Sequence, residues 1–150
     1  MRALLQRVSG ASVLIDTTEK QEIGCGLVVL VGIEEADSEE DIIWLIKKIM
    51  TLRIFRDVDG KMNLSVKDID GDLLVVSQFT LHASTRKGNR PSFIKAAKPE
   101  QAVPLYLKFI EECKIHFPKG VRTGKFGANM EITLTNDGPV TIWLDSKNRE

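Results

Sequence analysis

A chain of 150 residues has the length of one domain and buries roughly 70% of its unfolded surface. Hydrophobic residues make up 43% and charged residues 28%, the composition of an ordinary soluble domain whose core needs no staples. Lys plus Arg and Asp plus Glu each total 21, and this zero balance excludes attachment to nucleic acid through bulk charge. Any RNA partner has to be held by a local patch.

Cys25 and Cys113 have no CxxC spacing and no neighbouring His, which points to free buried thiols in a reducing cytosol. Residues 1–10 lack the apolar segment and small-residue cleavage site of a secretory signal. The longest apolar run, residues 27–33, is too short to cross a bilayer, so no membrane partner is expected and the cytoplasm is the expected location.

No repeat or linker interrupts the chain. Ala3-Leu4-Leu5 with Val8, and then Ser12 to Asp16, read as two short strands separated by Ser9-Gly10. Gly24-Cys25-Gly26 introduces an unbroken apolar strand over residues 27–33, buried on both faces. Asp37, Ser38, Glu39 and Glu40 form a helix start, and Ile42, Leu45, Ile46, Ile49, Met50 and Arg53 continue it for about four turns. Asp59-Gly60 marks a tight turn.

Residues 73–79 form a second buried strand that runs into a polar loop, the usual place for a binding site. A helix follows over residues 100–117, with Pro104 in its first turn and Val103, Leu107, Ile110, Cys113 or Lys114, and Phe117 on the helical period. Two final strands, residues 130–135 and 140–145, flank Asn136-Asp137-Gly138-Pro139, which reads as a hairpin turn. The pattern predicts a single α/β (α+β) domain over residues 1–150, a barrel-like sheet with two main helices.

Familiar catalytic signatures are missing. His82 and His116 sit in different contexts, so a metal centre is not expected and no cofactor is implied; no GxSxG or P-loop occurs. His116 reads as structural or solvated, and His82 as a surface-loop histidine, with catalysis as the alternative.

Three segments remain. Ser77-Gln78-Phe79-Thr80-Leu81 places hydroxyls and an amide where a buried strand ends; it is either a strand satisfying its own backbone or an oxyanion hole. Gly138-Pro139 is either part of a turn or a rigid main-chain wall, since X–Pro bonds tolerate cis geometry and glycine tolerates unusual dihedrals. Arg86, Lys87 and Arg90, followed by Lys95 and Lys98, form either a solvated loop or a phosphate-binding patch.

Together these segments resemble the D-aminoacyl-tRNA deacylase family of bacteria and eukaryotes. Residues 77–81 (SQFTL) and 136–141 (NDGPVT) look like its two signatures. The likeness extends to Gln6-Arg7-Val8, Leu52-Arg53-Ile54-Phe55, residues 88–93 and residues 123–130, essentially the whole chain.

The resemblance implies a homodimer with active sites at its interface, acting on aminoacyl-tRNA. Gly138-Pro139, cis, would enter the partner's pocket, with Asn136, Leu81, Met130 and Arg7 shaping or holding the site. L-amino acids would be rejected and glycine accepted. In this scheme Ser77, Gln78, Phe79 and Thr80 carry catalysis. The backbone N–H groups of Phe79 and Thr80 bind the oxyanion, and the substrate's ribose 2′-OH helps to activate water. A covalent Thr80 lacks a base nearby in sequence. The competing readings are a non-catalytic RNA-binding module using Arg86, Lys87 and Arg90, and an amidohydrolase acting on D-peptides.

Overall fold

The computed structural model describes residues 1–117 and 120–149. Its first element, β1 (Arg2–Ile15), is one 14-residue strand that does not break at Ser9-Gly10. Ala3 and Leu5 point inward, as do Ala11, Val13 and Ile15, but the alternation changes phase at Val8. Register shifts against the last strand flank Val8, so a bulge absorbs the small Ser9-Gly10 pair.

The strand then doubles back through β2 (Glu19–Ile23) and β3 (Gly26–Gly32), which pair antiparallel with its two halves. The bend between them holds Cys25 at the surface, contrary to its expected burial, and next to it Gly26 passes too close to Asp72 for any side chain. Cys113 is buried as expected, and burial pushes its thiol pKa up to about 12.

β3 is buried on both faces and pairs in parallel with β6 (Asp72–Ser77), which pairs in parallel with β7 (Val121–Thr123). Between β3 and β6 lie α1 (Glu39–Thr51) and the small hairpin of β4 (Phe55–Arg56) and β5 (Met62–Leu64). At the start of α1, Asp41 accepts a hydrogen bond from the Ser38 N–H at 2.8 Å. Ile42, Leu45, Ile46 and Ile49 form its buried stripe.

In α2 (Pro99–His116) the buried face is Ala102, Tyr106, Phe109, Ile110 and Cys113, one position out of phase with the predicted Val103 and Leu107. Two stripes compete on this helix, and the one carrying the aromatic bulk wins the core. Leu107 is left 53% exposed. Both helices cover one face of the sheet, where Phe109 and Tyr106 meet Leu27, Val29, Leu73 and Val75.

The other face curls around a second core of Val8, Val13, Ile15, Val28, Leu74 and Val76. β8 (Met130–Asp145) closes most of this curl, pairing along the whole of β1. The predicted hairpin turn at residues 136–139 therefore does not exist: both halves of β8 lie against the same strand. The result is a nearly closed, barrel-like mixed sheet with two helices. Among the described residues no helix is long and apolar enough to span a membrane.

Candidate active site

Two places in this fold gather the residues singled out by sequence. At the first, β6 ends and the chain turns sharply. The Gln78 N–H donates to the Val31 carbonyl at 2.7 Å, and residues Phe79–His82 wind into one 3-10 turn. The turn packs on Gly32, where a Cβ would lie 3.0 Å from Gln78 O, Leu81 Cβ and His82 Cδ2. Glycine on β3 is what lets the turn close.

The first hydrogen bond of the turn runs from Leu81 N–H to Gln78 C=O at 3.2 Å. The N–H groups of Phe79 and Thr80 precede it and have no carbonyl within the turn to bond. Beside them lies a cavity of about 270 Å³ lined by Val76, Ser77, Gln78, Phe79, Gly127, Ala128, Met130 and Ile132. Met130 sits here because Gly124, lacking a side chain, leaves room for its sulfur.

Ser77, Gln78, Phe79 and Met130 thus come together. Thr80 stays at the exposed rim, its hydroxyl accepting a hydrogen bond from Gln78 Nε2 at 2.5 Å. Leu81 is outside the cavity lining, and its carbonyl accepts a bond from Arg2 Nη1 at 2.9 Å. Gly127, Ala128 and Ile132 were not singled out by sequence reasoning. The signal for Gly127 and Ala128 lay in residues 123–130, which carried family likeness without an evident role; Ile132 showed only as part of the strand predicted over residues 130–135.

His82 is neither a surface residue nor a site residue. It is 1% exposed, beneath the turn, and neither ring nitrogen has a hydrogen-bond partner among the described residues. Burial lowers its pKa below the ordinary histidine value. His116, at the end of α2, is exposed, in line with a solvated role.

At the second place, β8 passes the bulge of β1. From Gln6↔Thr141 to Val8↔Asn136, β1 advances two residues and β8 five, so Asp137-Gly138-Pro139 is extruded from the ladder. Proline cannot donate to a ladder and belongs in such a bulge. The Gly138-Pro139 bond is cis and Gly138 has φ +121°.

Four side-chain contacts hold the extrusion. Asn136 Oδ1 accepts from the Val140 N–H and Asn136 Nδ2 donates to Thr141 Oγ1, both at 2.9 Å. Arg7, 2% exposed, donates through Nε to the Asp137 carbonyl at 3.2 Å and pairs with its carboxylate at 3.0 Å. Its Nη1 also donates to the Ile54 carbonyl. Although Cys25 lies at the surface, partial desolvation and then the Asp137 carboxylate raise the pKa of its thiol.

Within one chain these two places do not meet. Gly138 lies six residues along β8 from Ile132, on the order of 20 Å at strand rise, and no residue of 136–139 lines the cavity. The basic loop does adjoin the cavity. Ser84 and Ser92 exchange backbone hydrogen bonds at 2.8 and 2.9 Å, closing the loop whose Arg86, Lys87 and Arg90 are exposed. Phe93 at its base meets Phe79 edge-on at 5.0 Å. None of the three cations has a carboxylate partner among the described residues. Among those residues there is also no cluster of three or more His, Cys, Asp or Glu that could hold a metal ion.

The profile of the D-Tyr-tRNA(Tyr) deacylase family matches residues 4–145. The chain belongs to that family. A D-aminoacyl-tRNA deacylase of Flavobacterium johnsoniae is 59% identical over 150 residues, covering all of both chains, and one of Bacteroides fragilis is equally similar over the same length. A solved structure, "c-Myc DNA Unwinding Element Binding Protein", superposes with TM-score 0.91 at 42% identity, covering 97% of this chain and 98% of its own. A second, described as a probable eukaryotic D-amino acid tRNA deacylase, gives TM-score 0.83 at 17% identity, covering 95% and 97%; it speaks for the fold alone. The chain is thus an enzyme of the deacylase family, and the cavity beside Phe79 is its candidate active site.

Proposed function

We propose that this deacylase hydrolyses the ester joining a D-amino acid, or glycine, to the terminal ribose of tRNA, in a pocket completed by a second copy of the chain. Such an ester is already activated, so positioning and oxyanion stabilisation suffice. The carbonyl oxygen of the ester sits against the Phe79 and Thr80 N–H groups, whose hydrogen-bonding capacity the 3-10 turn leaves unused. The substrate's 2′-OH orients and helps deprotonate the attacking water. Amino acid and tRNA are released.

No side-chain nucleophile enters this scheme. Thr80 is tied to Gln78, and the nearest histidine in sequence, His82, is buried beneath the turn. The Arg86, Lys87 and Arg90 loop, resting through Phe93 on Phe79, offers cations to the phosphates of the acceptor end.

One observation carries the two-copy reading: the cavity lacks the Gly138-Pro139 wedge of its own chain, while that wedge is extruded, exposed and braced by Arg7. β8 also presents a 16-residue edge that pairs with no other strand among the described residues, a ready surface for association. A wedge entering from a partner would fill the space of an L side chain and spare a D side chain or hydrogen.

The test is hydrolysis of matched D-tyrosyl-, L-tyrosyl- and glycyl-tRNA by wild type and Thr80→Ala. Cleavage of the D and glycyl esters alone, with most activity kept in Thr80→Ala, is expected. Equal cleavage of D and L esters refutes the wedge, and near-total loss in a folded Thr80→Ala protein refutes catalysis without a side-chain nucleophile. A module that binds RNA without catalysis, the reading favoured by the unpaired loop cations alone, predicts tRNA binding with no ester cleaved.

A further inference from the structure

A groove larger than the active-site cavity lies away from it, between α2 and β7, and has a volume of about 520 Å³. We propose that it seats the sugar–phosphate backbone of the substrate's acceptor strand as that strand approaches the ester. The inference rests on the deacylase reading for the identity of the RNA.

Charge is the first argument. Lys114, Arg122 and Lys125 line the groove, against a single carboxylate, Glu19, which accepts a hydrogen bond from Gln21 Nε2 at 3.0 Å. Lys114 and Lys125 form no ion pair among the described residues, whereas Lys108 on the same helix is paired with Glu39 at 2.5 Å. In a chain of zero net charge, a groove with this local excess selects a polyanion.

Shape and continuity supply the rest. The groove is far larger than one inorganic phosphate requires, and Leu107 and Phe126 give it apolar surface that suits ribose faces between phosphates. It also leads to the chemistry. Lys125 and Phe126 line the groove, and Gly127 and Ala128, next in sequence, line the cavity. Lys125 and Gly127 are two residues apart, at most about 7 Å. One loop forms a wall of both, so a strand lying in the groove reaches the pocket without leaving the surface.

The experiment compares the full-length Lys114→Glu/Lys125→Glu protein with Lys47→Glu/Lys61→Glu, which alters net charge equally at exposed positions elsewhere. Affinity for deacylated tRNA is measured across a salt series, and hydrolysis is followed on D-aminoacyl-tRNA and on D-aminoacyl-adenosine. In the groove variant, tRNA affinity should fall about tenfold or more at low salt, and the log–log salt slope should become shallower by ~1.4 for two lost single-strand phosphate contacts. Cleavage of the adenosine ester should stay within about twofold of wild type.

Affinity and slope equal to those of the control variant overturn the proposal. So does an equal loss on the adenosine ester, which means damage to the pocket, or an altered sedimentation coefficient, which means that the groove joins two copies. Wild-type tRNA binding without cleavage of any ester would sink the deacylase reading while the binding comparison still decides the groove.

Discussion

Gly138 is held where no other residue fits. Its φ of +121° is one that L side chains rarely adopt, and a Cβ there would lie 2.9 Å from Arg7 Nη2 and 3.0 Å from Val140 Cγ2. Gly138→Ala should therefore destabilise the extruded segment by about 1–3 kcal/mol. It should also displace the wedge, so that the ratio of D- to L-ester cleavage falls, as initial rates on matched tyrosyl esters will show. Unchanged selectivity would separate Gly138 from chiral choice.

Arg7→Ala tests the same segment from beneath. It frees Asp137 and leaves the Ile54 carbonyl without its donor, and a comparable loss of selectivity should follow with the cavity itself intact. Chirality measured on the same ester pair checks it.

His82 gives a pH dependence whose sign follows from burial. Its folded-state pKa is depressed, so the unfolded chain, titrating near roughly 6.5, takes up the proton that the folded chain resists. Stability should therefore fall as pH drops from about 6.5 toward the lower folded value. Asp41, held well below the usual carboxylate range by hydrogen bonds from Lys147 and Ser146 despite some burial, loses its stabilising effect only in stronger acid. Denaturation midpoints between neutral and mildly acid pH should decline in wild type and flatten in His82→Leu.

At the scale of elements, the strands with contiguous apolar residues were legible. Residues 27–29 and 73–76 are buried because neither face of a parallel pair meets water, and that needs only composition to recognise. The start of α1 was legible from Asp37-Ser38-Glu39-Glu40, with Ser38 at the cap and acids in the first turn. The continuity of β1 and β8 was not. Ser9-Gly10 and Asn136-Asp137-Gly138-Pro139 have the composition of turns, but each faces the other across the ladder, and two irregularities that match become a shared bulge. A pattern read one segment at a time cannot see its partner.

The phase of α2 failed for a related reason, since both of its stripes carry apolar residues and only the sheet beneath selects Tyr106 and Phe109. Tyr106 adds a hydrogen bond to the Val75 carbonyl at 3.1 Å, an acceptor that also receives the Gly124 N–H at 3.0 Å. Because that carbonyl stays satisfied, Tyr106→Phe should cost only about 0.5–1.5 kcal/mol by chemical denaturation. Phe109→Ala, which empties core volume, should cost about 3–5 kcal/mol.

For the whole molecule, the segments of the candidate site could be picked out along the sequence, but not their arrangement in space. The SQFTL and NDGPVT segments stood out along the chain, yet the fold sets them on opposite stretches of a curved sheet, one at a cavity and one at an extruded bulge. In the proposed two-copy reading, a second copy associating through the free edge of β8 would bring them together. Sedimentation should then find a dimer at the concentrations where the enzyme is active.

The most direct measurement uses a purified mixed dimer. One protomer carries Ala128→Trp, which fills its own pocket but leaves its wedge intact; the other carries Gly138→Ala/Pro139→Ala, with an intact pocket and a damaged wedge. The variants alone should be inactive and unselective, respectively. In the mixed dimer the one open pocket receives an intact wedge, so it should cleave the D ester and reject the L ester as wild type does. If it cleaves the L ester as freely as the wedge variant alone, or if a monomer proves fully active and selective, the wedge does not come from the partner.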